Sequence, residues 1–150
     1  MPGRVSLSQH QYYAHPHNLF WPIMGELFGA EPQLPYEERL RILQANGVAL
    51  WDVLQQCYRA SALDSDIVEA SIIANDFAGF FARHTKIRHI YFNGAKAEQA
   101  FRRYVLSGLS GLEHMELIGL PSTSPANASI PKDKKLEQWR INLEKAFSRR

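Results

Sequence analysis

Two short apolar runs, Ile87-Arg88-His89-Ile90-Tyr91-Phe92 and Met115-Glu116-Leu117-Ile118-Gly119-Leu120, limit the possible folds more than any other feature. Each has the residue types of a strand, and each runs into a loop and then a helical pattern. After the first come Asn93-Gly94 and a helix expected over Ala95 to Leu106. After the second come the Ser/Pro/Asn-rich loop Pro121 to Pro131 and an amphipathic helix over Lys132 to Phe147. Two strand–loop–helix units predict an α/β fold with a mainly parallel sheet. In such sheets ligands lie beyond the carboxyl ends of the strands, which selects Asn93-Gly94 and the Pro121–Pro131 loop.

The rest of the chain is mostly helical in pattern. Residues 1–18 read as loop, apart from a helical turn around Val5 to Gln11. Leu19 to Phe28 carries apolar residues at helical spacing and stops at Gly29. A second helix runs from Tyr36 to Asn46, with Glu37 and Glu38 in its first turn. Val48 to Leu54 is either a strand or a tight buried segment, and residues 58–66 are polar and turn-like. Ile67 to Ile73 leads into Asn75-Asp76, a capping pair for a helix ending near His84. The C-terminal helix offers Leu136, Trp139, Ile141, Leu143 and Phe147 for packing.

A chain of 150 residues is expected to form a single domain over 1–150 with a sizeable core. The composition, 45% hydrophobic and 21% charged, is that of a soluble globular protein. No apolar run is long enough to span a bilayer, and no secretory signal pattern is present. The lone Cys57 cannot form an internal disulfide, so a reducing cytoplasm is the expected location. A net charge of +2 permits nucleic acid as a partner without arguing for it. The basic residues of Arg83 to Arg103 and Lys132 to Arg150 read more readily as solvated helix faces than as binding patches.

Chemistry concentrates in Tyr12-Tyr13-Ala14-His15-Pro16-His17-Asn18-Leu19-Phe20-Trp21, an aromatic-rich loop ending at a helix start. It reads equally as a ligand wall or as an Asn18 cap with Phe20 and Trp21 in the core. With Asn93-Gly94 and the Pro121–Pro131 loop it would form three walls of one pocket. His10, His15 and His17 match no common zinc spacing, and no P-loop, G-x-G-x-x-G, C-x-x-C or nucleophile elbow is present. Ser122, Thr123 and Ser124 have no assigned base and read as backbone-satisfying hydroxyls or phosphate contacts. Asn93-Gly94 also suits a simple turn. An amide cannot take a proton as a carboxylate does, but it can orient a water and read a base edge. That suits hydrolysis of an N-glycosidic bond, where the leaving group departs early.

Three segments together, Tyr13-Ala14-His15-Pro16-x-Asn18-x-Phe20-Trp21, Phe92-Asn93-Gly94-x-Lys96-Ala97 and Leu120-Pro121-Ser122-Thr123-Ser124-Pro125-Ala126-Asn127-Ala128, resemble the uracil-DNA glycosylase superfamily. The similarity is strongest to its deoxyinosine (hypoxanthine) branch and covers nearly the whole chain. It implies a three-layer α/β/α sandwich acting as a monomer on double-stranded DNA, without metal or cofactor. It further implies that a deaminated base, hypoxanthine or uracil, is flipped out and cut from its sugar. Tyr13 and Phe20 would then bind the base, and Asn18 would be the main catalytic amide. Asn93 would hold or read the base, and His15 would donate to it. Ser122, Thr123, Ser124, Asn127 and Ser129 would contact DNA.

The N-terminus departs from the family pattern, which has a buried strand ending in Gly-x-x-Pro-Gly. This chain supplies only Met1-Pro2-Gly3 of it. The missing strand raises the expectation of a truncated form, and with it a catalytically impaired DNA-binding remnant as the competing function. A remnant would bind duplex without releasing base. A third class, an unrelated hydrolase of small nucleosides, predicts cleavage of free inosine and has no residue specifically in its favour.

Overall fold

The computed structural model describes residues 1–148; Arg149 and Arg150, the end of the C-terminal basic cluster, lie outside the described residues. In chain order the elements are α1 (Arg4–Gln9), α2 (Phe20–Phe28), α3 (Tyr36–Ala45), β1 (Leu54–Arg59), β2 (Ile67–Ala74), α4 (Phe77–Arg83), β3 (His89–Asn93), α5 (Ala95–Tyr104), β4 (Glu116–Leu120) and α6 (Lys132–Phe147). They fall into two compact units: Met1 with Asp52–Leu120, and Pro2–Trp51 with the residues from Pro121 onward.

In the first unit β3 and β4 pair in parallel, from His89 opposite Glu116 to Asn93 opposite Leu120. This is the parallel pair that the two strand–loop–helix patterns predict. Phe92 turns inward and packs with Phe77, Phe101 and Val105. The Phe101 ring lies edge-on to Phe77 at 5.3 Å and tilted to Phe92 at 5.2 Å, aromatic geometries that add to area burial. Helix α5 presents Ala100 and Phe101 to the core. It carries Glu98 near its start, bonded at 3.0 Å to Arg102 one turn later, in the order that suits the helix dipole.

Of Val48 to Leu54, expected as a strand or a tight buried segment, only Leu54 is in a strand, and the polar residues after it continue that strand. β1 pairs antiparallel with β2, with Tyr58 opposite Val68 and Arg59 opposite Ile67, so the turn is confined to the residues between Arg59 and Ile67. The hairpin is largely exposed, which explains why apolar patterning misplaces it: Gln55 and Gln56 have no core to face. Its β2 strand is fastened to α5 by Glu69, whose carboxylate accepts from Lys96 Nζ and Tyr104 Oη. Asp76 caps α4 through its Oδ1, which accepts from the Gly79 N–H at 3.0 Å. Asn75 instead donates to the Asp52 carbonyl at 2.7 Å.

The second unit is built on α2, whose Phe20, Trp21, Ile23 and Met24 are buried with Leu43 of α3 and with Trp139 and Leu143 of α6. Phe20 meets Trp139 edge-on at 6.1 Å, and Trp21 meets Tyr36 at 5.9 Å. On α6 the buried face runs through Lys135, Trp139 and Leu143, spaced four residues apart. Ile141, expected in the packing set, lies off that row and is 40% exposed. No helix among the described residues is long and apolar enough to cross a membrane.

Candidate active site

The second unit gathers Tyr13, His15, Asn18, Phe20 and the 122–129 loop. The α2 N-terminus and that loop are joined directly, because the Leu19 N–H donates to the Thr123 carbonyl at 3.0 Å. The Trp139 indole donates to the Pro121 carbonyl at 2.8 Å and fixes the loop's other end to α6.

Asn18 is half-buried. Its Oδ1 accepts from the Phe20 N–H at 2.9 Å, and its own N–H donates to the His15 carbonyl at 2.9 Å. An Asx turn of this kind satisfies a free amide of the first helical turn and fixes the side-chain rotamer. The Nδ2 amino group meets no acceptor among the described residues, so it keeps both donors. The oxygen therefore fixes the side chain, and the nitrogen remains available.

Tyr13 stacks on Phe20 at 4.1 Å and 28°. Its φ of 55° lies in the left-handed region, uncommon for a bulky residue. Neighbours hold it there. The Tyr12 N–H donates to Tyr36 Oη at 3.1 Å, the Trp21 indole donates to the Tyr12 carbonyl at 2.9 Å, and the Ala14 N–H donates to Ser6 Oγ at 3.0 Å. Ser6 itself is buried. Arg39 lies over the Trp21 face at 4.5 Å and over Tyr36 at 5.4 Å, and burial pushes its guanidinium below the ordinary arginine value. Phe20, expected to touch the base, is 3% exposed and lies beneath the Tyr13 ring.

His15 is exposed, and its Nδ1 accepts from the His17 N–H at 3.1 Å. A neutral His15 in this arrangement carries its proton on Nε2. Among the described residues no group of three or more His, Cys, Asp or Glu side chains is placed to hold a metal ion.

The loop hydroxyls divide by burial. Ser122 Oγ accepts from the Ser124 N–H and Ser124 Oγ from the Ala126 N–H, both at 3.2 Å, and each hydroxyl keeps its own proton to donate. Ser129 donates to Asn127 Oδ1 at 2.8 Å. Thr123, expected among the DNA contacts, is completely buried, so its side chain belongs to the packing and its carbonyl to the Leu19 bond. Lys135 is the residue that sequence reasoning missed. It is 3% exposed, and its ammonium donates to the carbonyls of Ser124 and Asn127. Burial lowers its pKa from the ordinary lysine value. The available signal was its place four residues before Trp139 on the buried row of α6. Ser6, Tyr36 and Arg39 gave no signal, because their contacts come from distant parts of the chain.

Asn93 belongs to the first unit. It is half-buried at the carboxyl end of β3, opposite Leu120, where parallel α/β sheets carry ligand groups. Gly94 follows with φ 95° and ψ 159°, and its N–H donates to the Leu120 carbonyl at 3.0 Å.

The chain is similar to two curated proteins named hypoxanthine DNA glycosylase. That of Methanosarcina acetivorans is 36% identical over 138 residues, which cover 91% of this chain and 82% of that protein. That of Methanosarcina barkeri is 36% identical over 98 residues, 65% of this chain and 61% of that protein. A solution NMR structure from Methanosarcina acetivorans, described as a candidate uracil DNA glycosylase, superposes with a TM-score of 0.72 at 34% identity. The superposition covers 93% of this chain and 83% of that one. No protein-family model matches. Identity at this level over most of both chains, together with a shared α/β fold, establishes kinship: the chain belongs to the hypoxanthine DNA glycosylases of the uracil-DNA glycosylase superfamily.

Proposed function

We propose that this chain is a monofunctional DNA glycosylase that hydrolyses the N-glycosidic bond of a deaminated base, hypoxanthine first and uracil second, flipped out of double-stranded DNA. The observation that carries the proposal is the Asn18 amide, anchored through Oδ1 at the start of α2 with its Nδ2 donors free. The base would lie against Tyr13, with Phe20 supporting that ring from below. Asn18 Nδ2 would donate to the base edge, while the second lone pair of Oδ1 aligns water below C1′. No residue of this set is a strong base, so the C1′–N bond breaks first and its electron pair leaves with the base. Water then adds to the oxocarbenium-like sugar and gives up a proton to solvent, and the departed base anion takes one up from solvent. His15 Nε2–H would donate a hydrogen bond to the departing base. Ser122, Ser124, Asn127 and Ser129 would meet the DNA backbone, with Thr123 holding the loop from inside. The protein would act as a monomer, and the lone Cys57 suits a reducing cytoplasm.

The test is base release from a labelled duplex carrying one deoxyinosine, read by alkaline cleavage at the abasic site, beside a uracil duplex. Release is expected from both, faster from deoxyinosine. Asn18→Ala should lower the rate by about 100-fold, the scale of losing one donor to developing charge. Duplex binding without release by the folded wild-type protein would mean that the catalytic reading is wrong.

A further inference from the structure

Lys135 is a buried ammonium for which the structure shows no carboxylate partner among the described residues. Such a group is costly unless its charge serves something, because desolvation is offset only by the carbonyls it meets. Those carbonyls are Ser124, at 3.5 Å, and Asn127, both in the loop over residues 122–129. Within the loop, the Asn127 N–H donates to the Ser124 carbonyl at 3.1 Å and Asn127 Nδ2 to the Ser122 carbonyl at 3.5 Å.

The peptide between Asn127 and Ala128 shows what the lysine does. The described chain contains no cis peptide, and in a planar trans peptide the C=O and N–H point in opposite directions. Drawing the Asn127 carbonyl inward to Lys135 therefore turns the Ala128 N–H outward. Ala128 is exposed, and its N–H meets no acceptor among the described residues. An outward amide backed by a buried cation is an anion donor, and the peptide dipole lies along the line from that cation to the ligand.

We propose that Lys135 is a positioning residue of the glycosylase: it turns the Asn127–Ala128 peptide so that the N–H faces a DNA phosphate beside the extruded nucleotide. The role rests on the glycosylase reading above and adds to it a residue that never touches DNA. It acts on extrusion rather than on bond cleavage, since a phosphate held there steadies the backbone that must swing out.

The experiment compares one deoxyinosine in a fully paired duplex with the same deoxyinosine inside an unpaired bubble, where the extrusion cost is already removed. Lys135→Met, of similar length and uncharged, should fold with a Tm no lower than wild type. Its base release from the paired duplex should fall about tenfold, and release from the bubble should stay within about twofold, tenfold being one charge-assisted hydrogen bond. Lys135→Gln, which keeps one donor, should fall between, and it replaces the methionine variant should that one fail to fold. Equal losses on both substrates would make Lys135 purely structural and overturn the proposal, as would no loss on either. A wild-type chain that releases no base from either substrate would sink the glycosylase reading and this role with it.

Discussion

At Tyr13 a side chain and its backbone pull in opposite directions. The ring gains the stack on Phe20, worth about 0.5–1.5 kcal/mol beyond area burial, while the left-handed backbone costs about 1–2 kcal/mol. Hydrogen bonds at Tyr12 and Ala14 anchor the backbone on either side of Tyr13. A sharp consequence follows. Tyr13→Ala loses the stack and keeps the strain, whereas Tyr13→Gly loses the stack and relieves it. Glycine should therefore be the more stable of the two by about 1 kcal/mol in denaturant unfolding, the reverse of the usual order. If alanine proves equal or better, the backbone at Tyr13 is not held as described. Both variants should also release base more slowly, since each removes the ring proposed to meet it. Tyr13 and Asn18 were legible as candidates from residue type and position. The left-handed φ of Tyr13 was not, because Ser6 and Tyr36 impose it from outside the stretch.

The β3–α5 junction is the element where local sequence and tertiary need agree. Asn93-Gly94 reads as a turn, and the turn is there because Gly94 must combine φ 95° with ψ 159° while donating to the Leu120 carbonyl of the neighbouring strand. A side chain has no comfortable conformation in that region. Gly94→Ala should cost about 1–3 kcal/mol, measured by thermal or denaturant unfolding. A loss below a few tenths would show that the junction relaxes at little cost. Helix α6 teaches the opposite lesson. Its length and amphipathic character are legible, but the buried row begins with Lys135, which composition places on a solvated face. Only the loop carbonyls packed against that row explain a lysine inside. The β1–β2 hairpin escaped for a related reason: a strand with little core contact has no burial pattern to announce it.

Across the molecule, stability should respond to pH through Asp52, whose carboxyl is held above the ordinary carboxylate value by burial, against the pull of the N-terminus and Arg59. The folded state then holds this proton more tightly than the unfolded chain does. Asp52 therefore favours folding below the ordinary carboxylate pKa. That contribution is lost as pH rises through the raised folded value. Asp52→Asn should thus raise Tm at about pH 7 and leave it nearly unchanged at about pH 3, where wild-type Asp52 is already protonated in both states. A Tm gain of equal size at both pH values would point to a cause other than ionisation.

The amino-acid sequence by itself determined the α/β class, the parallel β3–β4 pair, most helices and the residue types of the site. These follow from apolar periodicity, turn chemistry and side-chain identity, which act within a few residues of one another. Tertiary structure alone decided the strained Tyr13, the burial of Phe20 and Thr123, and the inward Lys135. Each of these depends on hydrogen-bond partners or packing surfaces far away along the chain. Phe20 and Thr123, read as direct contacts with the ligand, are buried, Phe20 beneath the Tyr13 ring and Thr123 within its loop. Lys135, read as solvent-facing, holds the loop from inside.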